Sequence, residues 1–280
     1  MPDQPPTQRE YWSGKAGDEW AAQAERIDAM LAPIAEVIIQ AGAVQAGERV
    51  LDIGCGAGAT SIAIARRVGA GGGVTGVDLS PQLLGVARRR AAEAGAPAEF
   101  VEADAGVATF AQPFDVAFSR FGVMFFEAPA AAFAHIRSTL RADGRMAFAC
   151  WRPIADNPWA TIPMAAIEAM LTAPPARPDP DAPGPYSLAD KDKVERILRN
   201  AEWRDVAVTA WDGGINVGGG GSLEEISDFL LRIGPTARAI AEQSLDVGEA
   251  RRRLMDRLAP LYQDNGVVLP GACWIVTAKA

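Results

Sequence analysis

Three acids and a glycine cluster carry the chemistry this chain can offer. The stretch "VLDIGCGAG" at residues 50–58 places Asp52 ahead of Gly54, Gly56 and Gly58. A glycine-rich turn after an apolar run lets backbone approach a nucleotide closely. Gly54, Gly56 and Ala59 also satisfy the dinucleotide spacing G-x-G-x-x-G/A. Two nucleotide chemistries therefore compete. A pyrophosphate is anionic and would be repelled by Asp52, which costs free energy at the end of a buried strand unless something partners it. A ligand bearing an ammonium and a sulfonium would be attracted instead. Asp78, at the end of "VTGVD", can accept from both ribose hydroxyls, which suits either nucleotide. Asp104, closing "AEFVEAD", can accept from the exocyclic amine of adenine.

For these acids to meet, their strands must end on one edge. "RVLDIG", "GGVTGVDLS", "AEFVEAD", "FDVAFSR" and "DGRMAFACW" read as five strands. Helical patterns at residues 59–68, 81–94 and 130–140 fall between them, and Pro81 and Gly95 punctuate the second. Strands alternating with helices imply right-handed crossovers and a parallel sheet whose carboxyl edge binds ligands. Ahead of the sheet, residues 1–9 are polar and Pro-rich and are expected to be disordered. Residues 15–40 predict two helices, with Pro33 starting the second. Behind it, residues 157–171 predict a helix capped by Asn157, and residues 172–186 carry six prolines and predict an extended loop. Ser187 with Asp190 reads as a capping-box start for a helix through residue 200. "WRDVAVTAWDGGINV" is a sixth strand, Gly218–Gly221 a flexible joint, and a helical insertion leads to "GACWIVTAKA", a seventh strand.

Composition narrows the function classes. The 280 residues are 49% hydrophobic and 22% charged, an ordinary globular balance. A net charge of -8 argues against a nucleic-acid backbone as partner. The arginine triplets at residues 88–90 and 251–253 read as solvated helix faces. Cys55, Cys150 and Cys273 are too few and too scattered for a disulfide framework or a metal site, so no metal is expected. No signal peptide and no run long enough to span a bilayer is visible, so a cytoplasmic protein without membrane contact is expected.

The run "VLDIGCGAG", "VTGVDLS", "EFVEADA", "FDVAFSRFGVMFFEAP" and "LRADGRMAFACW", in that order, resembles a class I S-adenosylmethionine-dependent methyltransferase. It is most similar to the small-molecule group that includes ubiquinone/menaquinone-type C-methyltransferases. The resemblance implies a Rossmann-like α/β fold with a seven-stranded sheet, mostly parallel with its last strand antiparallel, plus helical caps. It implies S-adenosylmethionine as cofactor. Gly54, Cys55, Gly56 and Gly58 would line its methionine portion, and Asp52 would hold the ammonium, directly or through water. Asp78 would hold the ribose with Leu79 near the adenine, Asp104 and Ala105 would read the adenine, and Ser119 would supply backbone contacts.

The acceptor side is less defined. The segments that would build it are N-terminal helices at residues 1–45, a core at 46–151 and a lid with its return helix at 152–202. Strand six at 203–217, an insertion at 218–268 and the last strand at 269–280 complete the chain. Tyr11, Trp12, Phe121, Trp151 and Trp159 are the substrate-binding candidates. No catalytic residue is assigned, because the sulfonium activates its own methyl. Tyr11, Asp156 and Asp212 are positional candidates for a base, whereas His135 lies on a helix that is structural in the family. The motif of base-amino methyltransferases, Asn/Asp-Pro-Pro-aromatic after strand four, is replaced by "SRFGVMFF". A small-molecule acceptor is expected, with the protein a monomer or homodimer. The alternatives are a nicotinamide-dependent oxidoreductase, a macromolecule methyltransferase and a non-catalytic cofactor-binding module.

Overall fold

The structure, a computed structural model, describes residues 6–174, 179 and 181–280. Its strands are β1 (Arg49–Ile53), β2 (Gly73–Asp78), β3 (Ala98–Glu102), β4 (Phe114–Arg120), β5 (Leu140–Trp151), β6 (Arg204–Asn216), β7 (Tyr262–Gln263) and β8 (Gly266–Lys279). They run in the order β3-β2-β1-β4-β5-β8-β6, with β7 paired only to β8. The pairs among β1 to β5 are parallel, and β8 is antiparallel to both β5 and β6. This is the expected seven-stranded sheet with one short addition. Asp264 and Asn265, both at positive φ, turn the β7–β8 hairpin, as a two-residue loop demands. The last strand therefore begins at Gly266 rather than residue 269.

Helices cover the sheet: α1 (Gln8–Ser13), α2 (Lys15–Ala22), α3 (Ala24–Ala41), α4 (Ala59–Val68), α5 (Pro81–Glu93), α6 (Pro129–Ser138), α7 (Pro158–Ile167), α8 (Lys191–Asn200), α9 (Leu223–Leu230), α10 (Pro235–Gln243) and α11 (Val247–Leu258). α3 buries Ile27, Met30, Leu31, Ile34 and Ile38, an i, i+3, i+4 stripe that joins the main core of Val50, Leu51, Phe118 and Phe148. Pro33 stands inside α3 and does not start it. Pro33 and Ala29, whose carbonyl loses its helical donor, are both exposed, so water can replace the missing bond.

Three other local expectations are corrected. Thr7 and Glu10 form a reciprocal capping box, so a helix begins within the stretch expected to be disordered; residues 1–5 lie outside the described residues. Asp190, not Ser187, caps α8, accepting from the amides of Asp192 and Lys193. The four glycines at Gly218–Gly221 all take positive φ, but the joint is held: Arg26 of α3 donates to the Gly220 carbonyl at 2.9 Å, and the Gly221 amide donates to Asn265. Of the proline-rich loop, residues 175–178 and 180 lie outside the described residues. At its far end the Gly184 amide and the Ser187 hydroxyl both bond the Met124 carbonyl.

Asn157 precedes α7 without capping it through its side chain. Fully buried, its Oδ1 accepts from the Ala272 amide (2.9 Å) and from Trp159 Nε1 (3.1 Å), while Nδ2 donates to the carbonyls of Arg152 and Pro153. One amide thus pins the segment after β5 to β8. Asn157→Ala leaves two buried donors without acceptors and should cost about 3 kcal/mol, read as a fall in the urea midpoint at unchanged m.

Candidate functional site

β1 ends at Ile53 and α4 begins at Ala59, so the glycine loop must reverse direction in five residues. Gly54, Gly56 and Gly58 all take positive φ, which L side chains rarely adopt. A Cβ on Gly54 would lie 2.7 Å from the Gly122 Cα, so loop and β4 turn touch backbone to backbone. A Cβ on Gly56 would meet nothing within 4 Å, so that residue faces open space. Four loop amides have protein acceptors: Gly54 and Cys55 donate to the Val77 carbonyl, Gly56 to Asp78 and Gly58 to the Cys55 carbonyl.

Asp52 has no exposure. Its Oδ2 accepts from Thr60 Oγ1 at 2.8 Å and Ser61 Oγ at 2.6 Å, both in the first turn of α4. Its Oδ1 is buried and has no partner within the protein. Burial pushes this carboxyl up to about 6, against the hydroxyls of Ser61 and Thr60 and the Arg120 charge. Asp78 accepts from the Gly56 amide (2.8 Å) and the Ser80 amide (2.9 Å), one bond per oxygen, leaving further lone pairs. Burial raises its pKa too, opposed by the amides of Ser80, Gly56 and Leu79.

The remaining predicted residues are placed as follows. Leu79 is half-buried beside Asp78. β3 stops at Glu102, so Asp104 falls in the turn beyond it, exposed, with Oδ1 accepting from the Gly106 amide. Ala105 is buried. Ser119 is buried; its hydroxyl donates to the Ile53 carbonyl and accepts from the Gly122 amide. Cys55 packs with Ile62, Leu84 and Phe100, and burial pushes its thiol up, which disfavours the thiolate.

The N-terminal helices lie across this edge. Gln82 Nε2 donates to the Ser13 carbonyl, and a Cβ on Gly17 would lie 2.6 Å from Ser80 Oγ. Trp12 meets Trp20 and Phe125 edge-on, at 5.4 and 5.2 Å. Tyr11 is exposed and Trp12 half-buried. Phe121, at φ +67, stacks on Trp151 at 4.1 Å, and Trp151 meets Trp159 at 5.0 Å. These three rings are all under 10% exposed, so they pack as one block. Asp156 and Asp212 both pair with Arg152, and His135 Nε2 bonds the Ala108 carbonyl. Two open clefts of about 340 and 430 Å³ lie elsewhere on the sheet, against Thr209 and Ile275 and against Thr75 and Glu99.

Sequence reasoning missed Thr60 and Ser61, although two hydroxyls in the first turn after a buried acid were a readable signal. It also missed Asp28, which pairs with Arg90 and Arg120. The triplet at residues 88–90 is not a plain solvated face: Arg90 binds Asp28, and Arg88 donates to the Phe100 carbonyl.

A partnerless buried oxygen on Asp52, an open Gly56 and spare lone pairs on Asp78 fit a nucleoside joined to an amino-acid tail carrying an ammonium. Residues 50–144 match the family described as "Methyltransferase domain". An uncharacterised protein of Mycobacterium tuberculosis is 36% identical over 148 residues, 52% of this chain and 51% of the relative. Aklanonic acid methyltransferase of a Streptomyces species is 38% identical over 104 residues, 36% of this chain and 47% of the relative. The matched segments thus span about half the length of these curated relatives. Among solved structures, Haemonchus contortus phosphoethanolamine N-methyltransferase 2 in complex with S-adenosyl-L-methionine aligns at a TM-score of 0.58 with 16% identity. That alignment covers 100% of this chain and 61% of the other, a likeness of fold. Residues 50–144 thus match the methyltransferase-domain family, on a sheet with the Rossmann-like fold of S-adenosylmethionine-dependent methyltransferases.

Proposed function

We propose that the chain transfers the methyl group of S-adenosylmethionine to a small molecule by in-line displacement. The observation that carries this reading is the Asp52 carboxylate, whose one free oxygen is buried beside the open glycine loop. The bound donor supplies an activated methyl on sulfur. The protein's own residues then bind, orient and exclude water. Asp52 would accept from the ammonium, directly or through water, Asp78 from the ribose hydroxyls, and Asp104 with Ala105 would read the adenine. The Gly54–Gly58 backbone and Leu79 shape the groove, and Ser119 holds the β4 turn against the loop. On the acceptor side, Tyr11 and Trp12 arrive from the N-terminal cap, and the Phe121–Trp151–Trp159 block supports the wall.

The acidic balance and the aromatic cap favour a small, apolar or aromatic acceptor over a polyanion. The similarity to aklanonic acid methyltransferase points the same way. No side chain is needed as a base when the acceptor reaches the site already nucleophilic. Asp156 and Asp212, each held by Arg152, are poorly placed to serve as one. A methyl-transfer assay against phenols, quinone precursors, amines and carboxylic acids tests this reading. Transfer to at least one is expected; no transfer to any, with intact donor binding, would refute the catalytic claim.

Two binding measurements test the assigned roles. Asp78→Ala should weaken S-adenosylhomocysteine at least tenfold, about 1.4 kcal/mol, because charge-assisted contacts to the ribose are lost. Calorimetry reads this directly, and unchanged affinity would remove Asp78 from the site.

Asp52 generates a pH dependence. Its folded pKa of about 6 lies above the ~3.9 of an unfolded aspartate, so ionising it costs native stability as pH rises through that window. A bound ammonium favours the ionised form, so binding expels the proton wherever Asp52 still holds it. Affinity for S-adenosylhomocysteine should therefore rise between about pH 5 and 7 and level off above the folded pKa. Asp52→Asn should flatten the rise in calorimetric titrations across that range, and a profile that stays as steep would show that another group titrates.

A further inference from the structure

Asp28 lies on α3, well before the glycine loop and outside the matched domain. Its Oδ2 accepts from Arg90 Nη1 at 2.8 Å and its Oδ1 from Arg120 Nη2 at 2.6 Å. The same Arg90 nitrogen lies 3.4 Å from the Ala57 carbonyl, inside the glycine loop. Arg120 directly follows Ser119, and its positive charge acts on the buried Asp52. One carboxylate therefore joins α5 and the end of β4 across the base of the loop.

This is not an ordinary surface ion pair. The three side chains are 17%, 20% and 12% exposed, and solvated pairs contribute only about 0–1 kcal/mol. Here two guanidiniums are largely removed from water, and each has Asp28 as its anionic partner. Asp28, Arg90 and Arg120 together carry one net positive charge, and the Arg120 part of it favours the ionised form of the buried Asp52. Asp78 draws its hydrogen bonds from Gly56 and Ser80, so the nucleoside half of the groove is organised by other atoms.

We infer that Asp28 is a positioning residue for the amino-acid end of the methyl donor. Through Arg90 it holds the Ala57 carbonyl and with it the glycine loop. Through Arg120 it fixes a positive charge beside Asp52. The inference rests on the donor reading given under Proposed function.

Calorimetry with two ligands separates positioning from bulk stability. S-adenosylhomocysteine carries the amino-acid tail, whereas 5′-methylthioadenosine keeps the nucleoside and sulfur without it. Asp28→Asn is expected to weaken S-adenosylhomocysteine at least tenfold and to leave 5′-methylthioadenosine within about twofold. Arg90→Met, which spares the Asp28–Arg120 pair, should show the same selectivity and replaces Asp28→Asn if that variant fails to melt cooperatively. Equal loss of both ligands, or loss of neither, in a folded variant overturns the role of Asp28 while the donor reading stands. A wild-type protein that binds neither ligand overturns the donor reading and this inference together.

Discussion

A carboxylate with no exposure governs the carboxyl edge of this sheet. Asp52 is an ionisable group in a core that includes Leu51, Ile53 and Phe118, and such a group persists only if its oxygens are satisfied. Thr60 and Ser61 satisfy one of them. Because both hydroxyls sit in the first turn of α4, the bond locks the end of β1 to the start of the helix. The residues between must then fold back within a very short span, and alternate left-handed positions at Gly54, Gly56 and Gly58 are how they do it. The glycines are thus a consequence of the locked strand and helix as much as a docking surface.

Neighbouring strands are stitched to the loop by the same kind of contact. From β2, Asp78 takes the Gly56 amide and the Val77 carbonyl takes two more loop amides. From β4, Ser119 bonds Ile53 and Gly122, and Gly122 has no side chain because the Gly54 Cα lies where one would go. Three strand ends therefore share one rigid loop before any ligand arrives. A ligand seated there as proposed would cost little conformational entropy in the loop, which favours a groove built from backbone and short acids over long flexible side chains.

The motifs proposed to form the donor side are legible in the sequence because they are local. Asp52, Asp78 and the glycines lie within short motifs, and helix–strand alternation places them on one edge. The α1 capping box (Thr7, Glu10) and the β7–β8 turn (Asp264–Asn265–Gly266) were equally local, and close reading of either would have revealed the element. Asp28 was not legible in this way. It meets Arg90 and Arg120 across separations of 62 and 92 residues, and nothing in "RRR" tells which arginine leaves the solvent. Pro33 failed as a start signal because an exposed position in a well-anchored helix tolerates a missing amide. Asn157 resembled a helix cap, but the local Trp159 indole and the distant Ala272 amide took its side-chain oxygen.

The acceptor side follows a different rule. Its candidate residues come from α1, the turn after β4, the end of β5 and α7, and they fall into two aromatic clusters, Tyr11 and Trp12 with Trp20 and Phe125, and Phe121 with Trp151 and Trp159, rather than into a motif. Packing of this kind constrains volume and ring orientation but not identity, so many sequences can build it. Phe121 is the exception: it holds a left-handed φ that a bulky residue adopts at a cost, and it does so beside Gly122, where the loop and the β4 turn touch. Phe121 thus links the two halves. Its amide is held by the Ala149 carbonyl, its neighbour Gly122 touches the glycine loop, and its ring stacks on Trp151, which meets Trp159. A change in the aromatic block therefore bears first on the proposed acceptor wall, and Phe121 with Gly122 gives it a backbone route to the proposed donor groove.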